Sequence, residues 1–292
     1  MQNFPLVSVI CLSYNHQDYV VEALNSVINQ TYTNIELLIA DDCSSDNSAG
    51  VIQDWLKNHP NVYFLANEKN LGNTKTFNQL AKKAKGAFII DLAADDLLLP
   101  NCIEKQIVTF QNSKYKNLGI VYGNLIEIDE KGDFIKNYYT EEDKPESGDI
   151  YKMVVGRVTK ICSVSSMIKK TVLEKLEYYD EDLAYEDLDL WLRASRVYDF
   201  EYIPEYLVKK RELPTSLSTF FTQRNSKKTK LLHQSSLTIL KKAYDLNQTK
   251  DEYKALLGRI QFEFYKFLKS REYLLMYQLI CLGLKTKWKS IV

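Results

Sequence analysis

Short apolar runs alternate with amphipathic stretches through the N-terminal third of the chain, and each run ends in a polar cluster. Leu6–Ser13 (LVSVICLS), bounded by Pro5 and by SYNHQD, predicts a buried strand that stops at a loop. Glu22–Gln30 predicts a helix. Asn34–Ala40 (NIELLIA) predicts a second strand ending at Asp41, and the spacing of Val51, Ile52, Trp55 and Leu56 predicts a helix over Asp46–Asn58. Val62–Ala66 then predicts a strand, Thr74–Lys85 a helix and Ala87–Leu92 a strand. Strands alternating with helices build βαβ units, so the pattern implies an α/β fold with a mostly parallel, Rossmann-like sheet.

Past Pro100 the pattern loosens. A helix with proline in its first turn gives way to Gly119–Asp129, an extended run of the kind that can lie antiparallel on a parallel sheet. The charged stretch over 140–149 predicts a surface loop. Strand-like CSVSSMI (Cys162–Ile168), a helix over Thr171–Leu176 and another over Asp187–Val197 complete a body expected to span 1–220. Residues 221–292 predict a helical C-terminal extension, with Tyr253, Leu256, Leu257, Ile260, Phe264, Phe267 and Leu268 at helical spacing. No internal repeat is evident.

Composition narrows the classes. At 45% hydrophobic and 26% charged, the 292 residues are of ordinary globular type. Five widely spaced cysteines (Cys11, Cys43, Cys102, Cys162, Cys281) and no CxxC argue against a disulfide framework or a thiolate zinc site, and imply a reducing compartment. Cys11 and Cys43 are expected to be small buried hydrophobes. Three histidines, none at i,i+4 spacing, argue against a multi-histidine metal site. No run reaches the roughly 18 apolar residues of a membrane span, and the N-terminus lacks a signal-peptide pattern, so a cytoplasmic protein is expected. The net charge of +0 hides a division, because residues 221–292 carry 12 Lys and 3 Arg against 2 Asp and 3 Glu, a net +10.

In an open parallel sheet, ligands bind beyond the carboxyl ends of the strands. Here those ends read Ser13-Tyr14-Asn15, Asp41-Asp42-Cys43-Ser44-Ser45-Asp46 and Ala93-Ala94-Asp95-Asp96. Helix capping accounts for Ser45 and Asp46. It accounts poorly for Asp41 and Asp95, each beside a second aspartate, since adjacent carboxylates repel unless a cation or proton separates them. Hard oxygen donors without thiolate favour Mg²⁺ or Mn²⁺, and an ion held by one or two carboxylates typically bridges substrate phosphates. GxxxxGK[ST], GxGxxG and GxSxG are all absent, which excludes the P-loop, dinucleotide and nucleophile-elbow readings.

Five blocks in order, VSVICLSYN (Val7–Asn15), IADDCSSDNS (Ile39–Ser48), NEKNLGNTKTFNQLAKKAKGAFI (Asn67–Ile89), LAADDLLLP (Leu92–Pro100) and YEDLDLWLR (Tyr185–Arg193), resemble the family 2 glycosyltransferases over about 220 residues. The resemblance implies a GT-A nucleotide-sugar domain that transfers sugar with inversion from a nucleoside-diphosphate donor, uridine being the expected base. By position it implies that Tyr14 stacks on the base, that Asp41 with Asp42 hydrogen-bonds it, that Asp95 binds Mn²⁺ or Mg²⁺, and that Glu186-Asp187 supplies the general base through Asp187. It departs from the family at Ala93, the first aspartate of DxD, at Phe77, where an arginine is common and Lys75 stands in for the diphosphate charge, and at Leu213 in KRELPTSLS (Lys210–Ser218), where Arg211 is kept.

Plainer readings stand beside these. Asp95 could cap a turn before Pro100, Asp187 could serve only the helix dipole, and Tyr14 could be a turn aromatic. An inactive nucleotide-sugar binder or a carboxylate-based nucleotidyltransferase are the rival functions. The expected partners are the donor and a saccharide or lipid-linked saccharide acceptor, with no nucleic acid because no recognised module is present. The basic extension, with Phe262, Phe264, Phe267, Leu274, Leu275 and Leu279 for an apolar face, is expected to attach peripherally to an anionic membrane. The alternative is that the same side chains pack on 1–220 or on a second copy in a homodimer.

Overall fold

A computed structural model describes residues 4–143, 145–156, 161–214, 217–224 and 226–292. Thr215 and Ser216, inside the KRELPTSLS stretch, lie outside these residues. The chain groups into two compact units: Met1–Gly148 with Ile161–Tyr179 and Tyr198–Glu212, and Asp149–Lys160 with Asp180–Val197 and Leu213–Val292.

The first unit carries β1 (Val7–Ser13), α1 (Val20–Ile28), β2 (Ile35–Asp41), α2 (Ser48–Leu56), β3 (Tyr63–Ala66), α3 (Asn73–Lys83), β4 (Phe88–Ala93), β5 (Leu97–Leu98), α4 (Cys102–Asn112), β6 (Leu118–Ile128) and β7 (Phe134–Asn137). To the second belongs α5 (Tyr151–Gly156). The chain then returns to the first unit for β8 (Met167–Lys169) and α6 (Lys170–Lys175), supplies α7 (Asp187–Ser195) to the second, and adds β9 (Asp199–Arg211) to the first.

All the strands join one sheet in the order β3-β2-β1-β4-β8-β6-β9-β5, with β7 beside β6. β1 lies parallel between β2 and β4, so Ser13 pairs with Asp41 and Leu12 with Ala93. Every residue of β1 is buried, which is what a parallel strand covered on both faces requires. Val7, Val9 and Cys11 share a core cluster with Val20, Leu24 and Val27 of α1 and with Ile52 of α2. The parallel order of the first four strands is therefore as the pattern implies, and it brings the ends of β1, β2 and β4 to one edge.

Three expectations change. CSVSSMI is not one strand: Ser163–Ser165 is a turn of 3₁₀ helix and only Met167–Lys169 joins the sheet. Serine hydroxyls cause this, since Ser165 Oγ donates to Gly123 O (2.9 Å) and Ser166 Oγ to Ser163 O (2.6 Å), local bonds that compete with a ladder. The stretch 198–212, read above as no element, contains the 13-residue β9. Pro204 masks it, and is tolerated because the β6–β9 ladder shifts register between Gly123 and Asn124, where a missing N–H costs little. Finally, β6 pairs antiparallel with β7 and β8 but parallel with β9.

In the second unit, α8 (Lys227–Leu246), α9 (Lys250–Ser270) and α10 (Tyr273–Ile291) follow one another. Ser226 caps α8, and Thr249 with Glu252 forms a reciprocal capping box on α9. Phe267, Leu275 and Leu279, expected on a membrane-facing surface, are instead buried, because packing α8–α10 together takes that side of each helix. Among the described residues no helix is long and apolar enough to cross a membrane.

Asp189 of α7 is fully buried and carries two cations: Arg193 Nη2 at 2.7 Å and Lys242 Nζ at 2.6 Å. Removing a buried carboxylate from such a pair costs about 3–5 kcal/mol, because the cations lose the charge that compensated their desolvation. Asp189→Ala is therefore expected to lower the unfolding temperature by several degrees, whereas Asp54→Ala, which breaks an exposed pair with Lys57, is expected to leave it within error. Thermal unfolding of the two variants by circular dichroism checks this.

Candidate active site

The loops after β1 and β2 are laced together by side chains. Asn15, held at φ 60, accepts from Ser45 N through Oδ1 (2.7 Å) while its own N–H donates to Ser44 Oγ (2.9 Å). His16 N donates to Ser48 Oγ (2.8 Å) and Gln17 N to Asp46 Oδ2 (3.1 Å), and Asp46 Oδ1 accepts from Ser48 N (2.9 Å). Asp46 thus holds the first residue of α2, while Ser45 braces the loop through Asn15 and does not cap the helix as expected. Tyr14, 47% exposed, stands at the rim of this braced edge.

Asp41 and Asp42 are both buried and both engaged. Asp41 Oδ1 accepts from Ser44 N (2.9 Å) and its Oδ2 from Ser44 Oγ (2.5 Å). Asp42 accepts from Asn67 Nδ2 (2.8 Å), Leu71 N (2.9 Å), Gly72 N (2.8 Å) and Thr76 Oγ1 (3.0 Å). Gly72 precedes α3 at φ 85, a conformation that disfavours any side chain, and this lets its N–H point at the carboxylate. Asp42 so anchors the N-terminus of α3, whose first turn carries Lys75, a lysine with no ion pair among the described residues. Phe77 is core, 4.4 Å from the Tyr179 ring, so that position supplies no charge.

Asp95 and Asp96 follow β4. Asp96 is buried, and that burial together with the charge of Asp95 pushes its carboxyl well above the usual range, although Arg211 N donates to its Oδ1 (2.8 Å). Asp95 is half-buried, and His16 Nε2 lies 3.8 Å from its Oδ2. Among the described residues no three His, Cys, Asp or Glu side chains converge as a cage. A half-buried carboxylate beside a buried one, in a site without thiolate, does fit Mg²⁺ or Mn²⁺, an ion usually content with one or two carboxylates when phosphate completes its shell.

Arg211, at the end of β9, positions this acidic turn. It is 3% exposed, and its guanidinium donates to Asp95 O (3.1 Å), Asp129 O (3.1 Å), Glu130 O (3.0 Å) and Glu22 Oε2 (2.8 Å) over the Tyr19 ring. Glu186 and Asp187 belong to the second unit, at the start of α7, where Asp187 Oδ1 accepts from Leu188 N (2.6 Å). Burial raises the Asp187 carboxyl above its ordinary range, opposed by that N–H and by Arg259.

Tyr14, Asp41, Asp42, Lys75 and Asp95 are thus gathered by one sheet edge and its α3 neighbour. Sequence reasoning missed His16 beside Asp95 and the engaged state of Asp41 and Asp42. A histidine three residues beyond the first strand was the available signal for His16. Cys11 is buried as expected, but Cys43 is exposed at φ 61, because the turn that frees Asp41 for Ser44 carries it outward.

This sheet order, with a polar edge at the ends of β1, β2 and β4, is the GT-A architecture of nucleotide-sugar enzymes. Residues 8–177 match the model of glycosyl transferase family 2, and the chain is a glycosyltransferase belonging to that family. It is 30% identical over 210 residues to an uncharacterised glycosyltransferase of Methanocaldococcus jannaschii, covering 71% of each chain. It is also 30% identical over 204 residues to the chondroitin synthase of Escherichia coli, covering 70% of this chain but 28% of that enzyme. Among solved structures, S. aureus TarS 1–349 in complex with UDP-GlcNAc superposes with TM-score 0.61 at 15% identity, over 96% of this chain and 88% of that one. The mannosyltransferase PcManGT of Pyrobaculum calidifontis, in complex with GDP-Man and Mn²⁺, gives TM-score 0.62 at 15% identity, over 96% of this chain and 74% of that one.

Asp91 of β4 makes a pH test of the scaffold under this edge. Its half-buried carboxyl accepts from Tyr179 Oη (3.0 Å), and burial raises it to about 7. As pH rises from 4 towards 8 the unfolded chain ionises this group first, so the folded state loses stability, by at most about 1.4 kcal/mol per pH unit within that window. Asp91→Asn keeps the shape and cannot ionise. Its unfolding temperature is expected to match that of the native chain near pH 4 and to exceed it increasingly up to pH 8. A difference independent of pH would show that Asp91 ionises normally.

Proposed function

We propose that the protein transfers a sugar, with inversion, from a nucleoside-diphosphate donor, uridine-based on the family expectation, to a hydroxyl of a saccharide or lipid-linked saccharide during cell-surface polysaccharide or glycolipid synthesis. The observation that carries this reading is the convergence of Tyr14, Asp41, Asp42, Lys75 and Asp95 on one braced sheet edge in a chain of this family. The relatives support it as far as their names go, one being a chondroitin synthase and two solved neighbours holding UDP-GlcNAc and GDP-Man. We take 1–220 as the transferase domain and 221–292 as an extension that works peripherally on the cytoplasmic face of a membrane.

In this reading Tyr14 offers an exposed ring for the base. Asp41 and Asp42 act mainly by fixing the loops around it, since their oxygens are already hydrogen-bonded. Lys75 and the free N–H groups at the start of α3 face the diphosphate, where a helix N-terminus favours negative charge. A divalent ion held by Asp95, Mn²⁺ or Mg²⁺, would offset charge building on the leaving diphosphate. Asp187 takes the proton from the acceptor hydroxyl as that oxygen bonds to the anomeric carbon and the bond from that carbon to the diphosphate oxygen breaks. A carboxyl raised by burial is the better base for this step.

The test is donor turnover with Mn²⁺ across saccharide acceptors. Asp187→Asn is expected to lower kcat by roughly 10²–10⁴-fold with little change in donor KM, the usual scale of a lost general base. Asp95→Ala is expected to abolish dependence of the rate on added metal. The acid limb of the wild-type rate profile should fall above the ordinary aspartate range and vanish with the residual activity of Asp187→Asn. Wild-type kcat in Asp187→Asn would remove Asp187 from this role, and thermal stabilisation by a donor without turnover on any acceptor would indicate a binder instead.

A further inference from the structure

Helix α10 is apolar on two opposite faces. One, formed by Leu275, Leu279 and Leu282 with Thr286 and Ser290, is buried in the second unit. The other is bare. Tyr273, Tyr277, Ile280, Leu284, Trp288 and Ile291 follow at steps of three and four, each between 47% and 67% exposed. At 1.5 Å per residue they form a stripe about 27 Å long. Exposed lysines lie beside it, Lys287 on one shoulder and Lys285 on the other with Lys289 further round towards the buried face, and no acidic residue occurs in Tyr273–Ile291. A contiguous apolar stripe of this size on a water-facing helix marks a contact surface.

We propose that this face of α10 lies in the headgroup region of an anionic membrane, parallel to the surface, with Trp288 and the two tyrosines at the boundary, the flanking Lys285 and Lys287 reaching the phosphates and Lys289 adding to the positive charge at that end of the helix. It deepens the reading of peripheral attachment in the preceding subsection and replaces the buried Phe267, Leu275 and Leu279 as its contact residues. Charge selects the occupant. A symmetric contact between two copies would set the lysines of one α10 against those of the other with no acidic residue on either helix to pair them, whereas anionic headgroups are complementary to them. The chemistry of the stripe agrees: amphipathic Tyr and Trp favour the membrane boundary, and lysines extend their charged ends from an apolar bed to the headgroups. An interfacial helix needs one apolar face and cationic flanks, and α10 presents both while anchored to its own unit by the opposite face.

Trp288 is also the exposed member of the three tryptophans, Trp55 and Trp191 being buried, so its fluorescence reports on this face. The experiment mixes the full-length chain with phosphatidylcholine vesicles with and without phosphatidylglycerol, at low and high salt, and follows co-sedimentation and Trp288 emission. The expected result is binding to anionic vesicles with a blue shift, weakened by salt and at least tenfold weaker for Leu284→Glu/Trp288→Glu by sedimentation. Lys285→Glu/Lys287→Glu/Lys289→Glu is expected to lose the preference for phosphatidylglycerol, while Val108→Glu on α4 sediments as wild type. Circular dichroism and unfolding temperature show that each variant is folded. The proposal is overturned if the wild-type chain stays in the supernatant at low salt, if neutral and anionic vesicles bind it equally, or if Leu284→Glu/Trp288→Glu still sediments. It is also overturned if light scattering finds a dimer that the same double variant dissociates. Turnover on a soluble acceptor is expected to be unchanged in these variants, so failure of the transferase reading shows as inactivity throughout, independent of sedimentation.

Discussion

A single buried guanidinium ties together the segments that form the acidic edge. Arg211 reaches Glu22 on α1, the carbonyl of Asp95 after β4 and two carbonyls of the turn between β6 and β7, while its own backbone N–H holds Asp96. Those elements are distant in sequence, and it is the guanidinium itself, buried away from water, that needs every one of these partners. A planar fork with five donors can serve them together, where an ammonium could not. Burying the cation is tolerable because a carboxylate, three carbonyls and the Tyr19 ring surround it. The position of Asp95 is in this sense a property of β9, more than a hundred residues further along the chain.

A second anchor works on the other flank of the edge. Asp42 accepts four hydrogen bonds, two of them from backbone N–H groups just before α3, so the helix start is fixed relative to the end of β2. Together with the lacing of Asn15 to Ser44 and Ser45, this leaves the loops that would frame a nucleotide little freedom to lose on binding. Asp41 and Asp42 are thus already engaged in bracing these loops. Tyr14, Lys75 and Asp95 remain the side chains on this edge with capacity to spare.

Charge is distributed by the same logic over larger distances. The first 220 residues carry a net −10 and the rest a net +10. A few of the acidic residues, Asp41, Asp42, Asp46, Asp95 and Asp96, lie at or just past the ends of β2 and β4, and the others are spread over helices and loops. Many of the basic ones face outward on α8–α10, although some are structural: Lys242 holds Asp180 and Asp189, and Lys266 pairs with Glu263. A charge sum over a segment therefore mixes internal pairs with the charge actually available to a surface.

The sequence by itself determined the parallel core and the polar edge at its strand ends. Period-two and fully apolar runs are local, each βαβ crossover has one favoured hand, and ligand-binding loops must follow the strand ends, so β1–β4 and the Ser13–Asn15, Asp41–Asp46 and Ala93–Asp96 clusters were legible residue by residue. What it could not convey was anything set by partners remote along the chain. β9 is interrupted by Pro204 and is stable only because β6 offers a ladder with a shifted register. The Ser163–Ser165 turn is settled by hydroxyls meeting the Gly123 carbonyl. Asp41 and Asp42 could be assigned as engaged only once Ser44, Asn67 and Gly72 were seen around them. On α10 the apolar residues of the sequence are evenly spread, and only the packing of α8–α10 decided which face is spent on the core and which is left bare. Local pattern fixes which elements form and where their polar ends lie, while burial and hydrogen-bond partners, being long-range, belong to the tertiary structure alone.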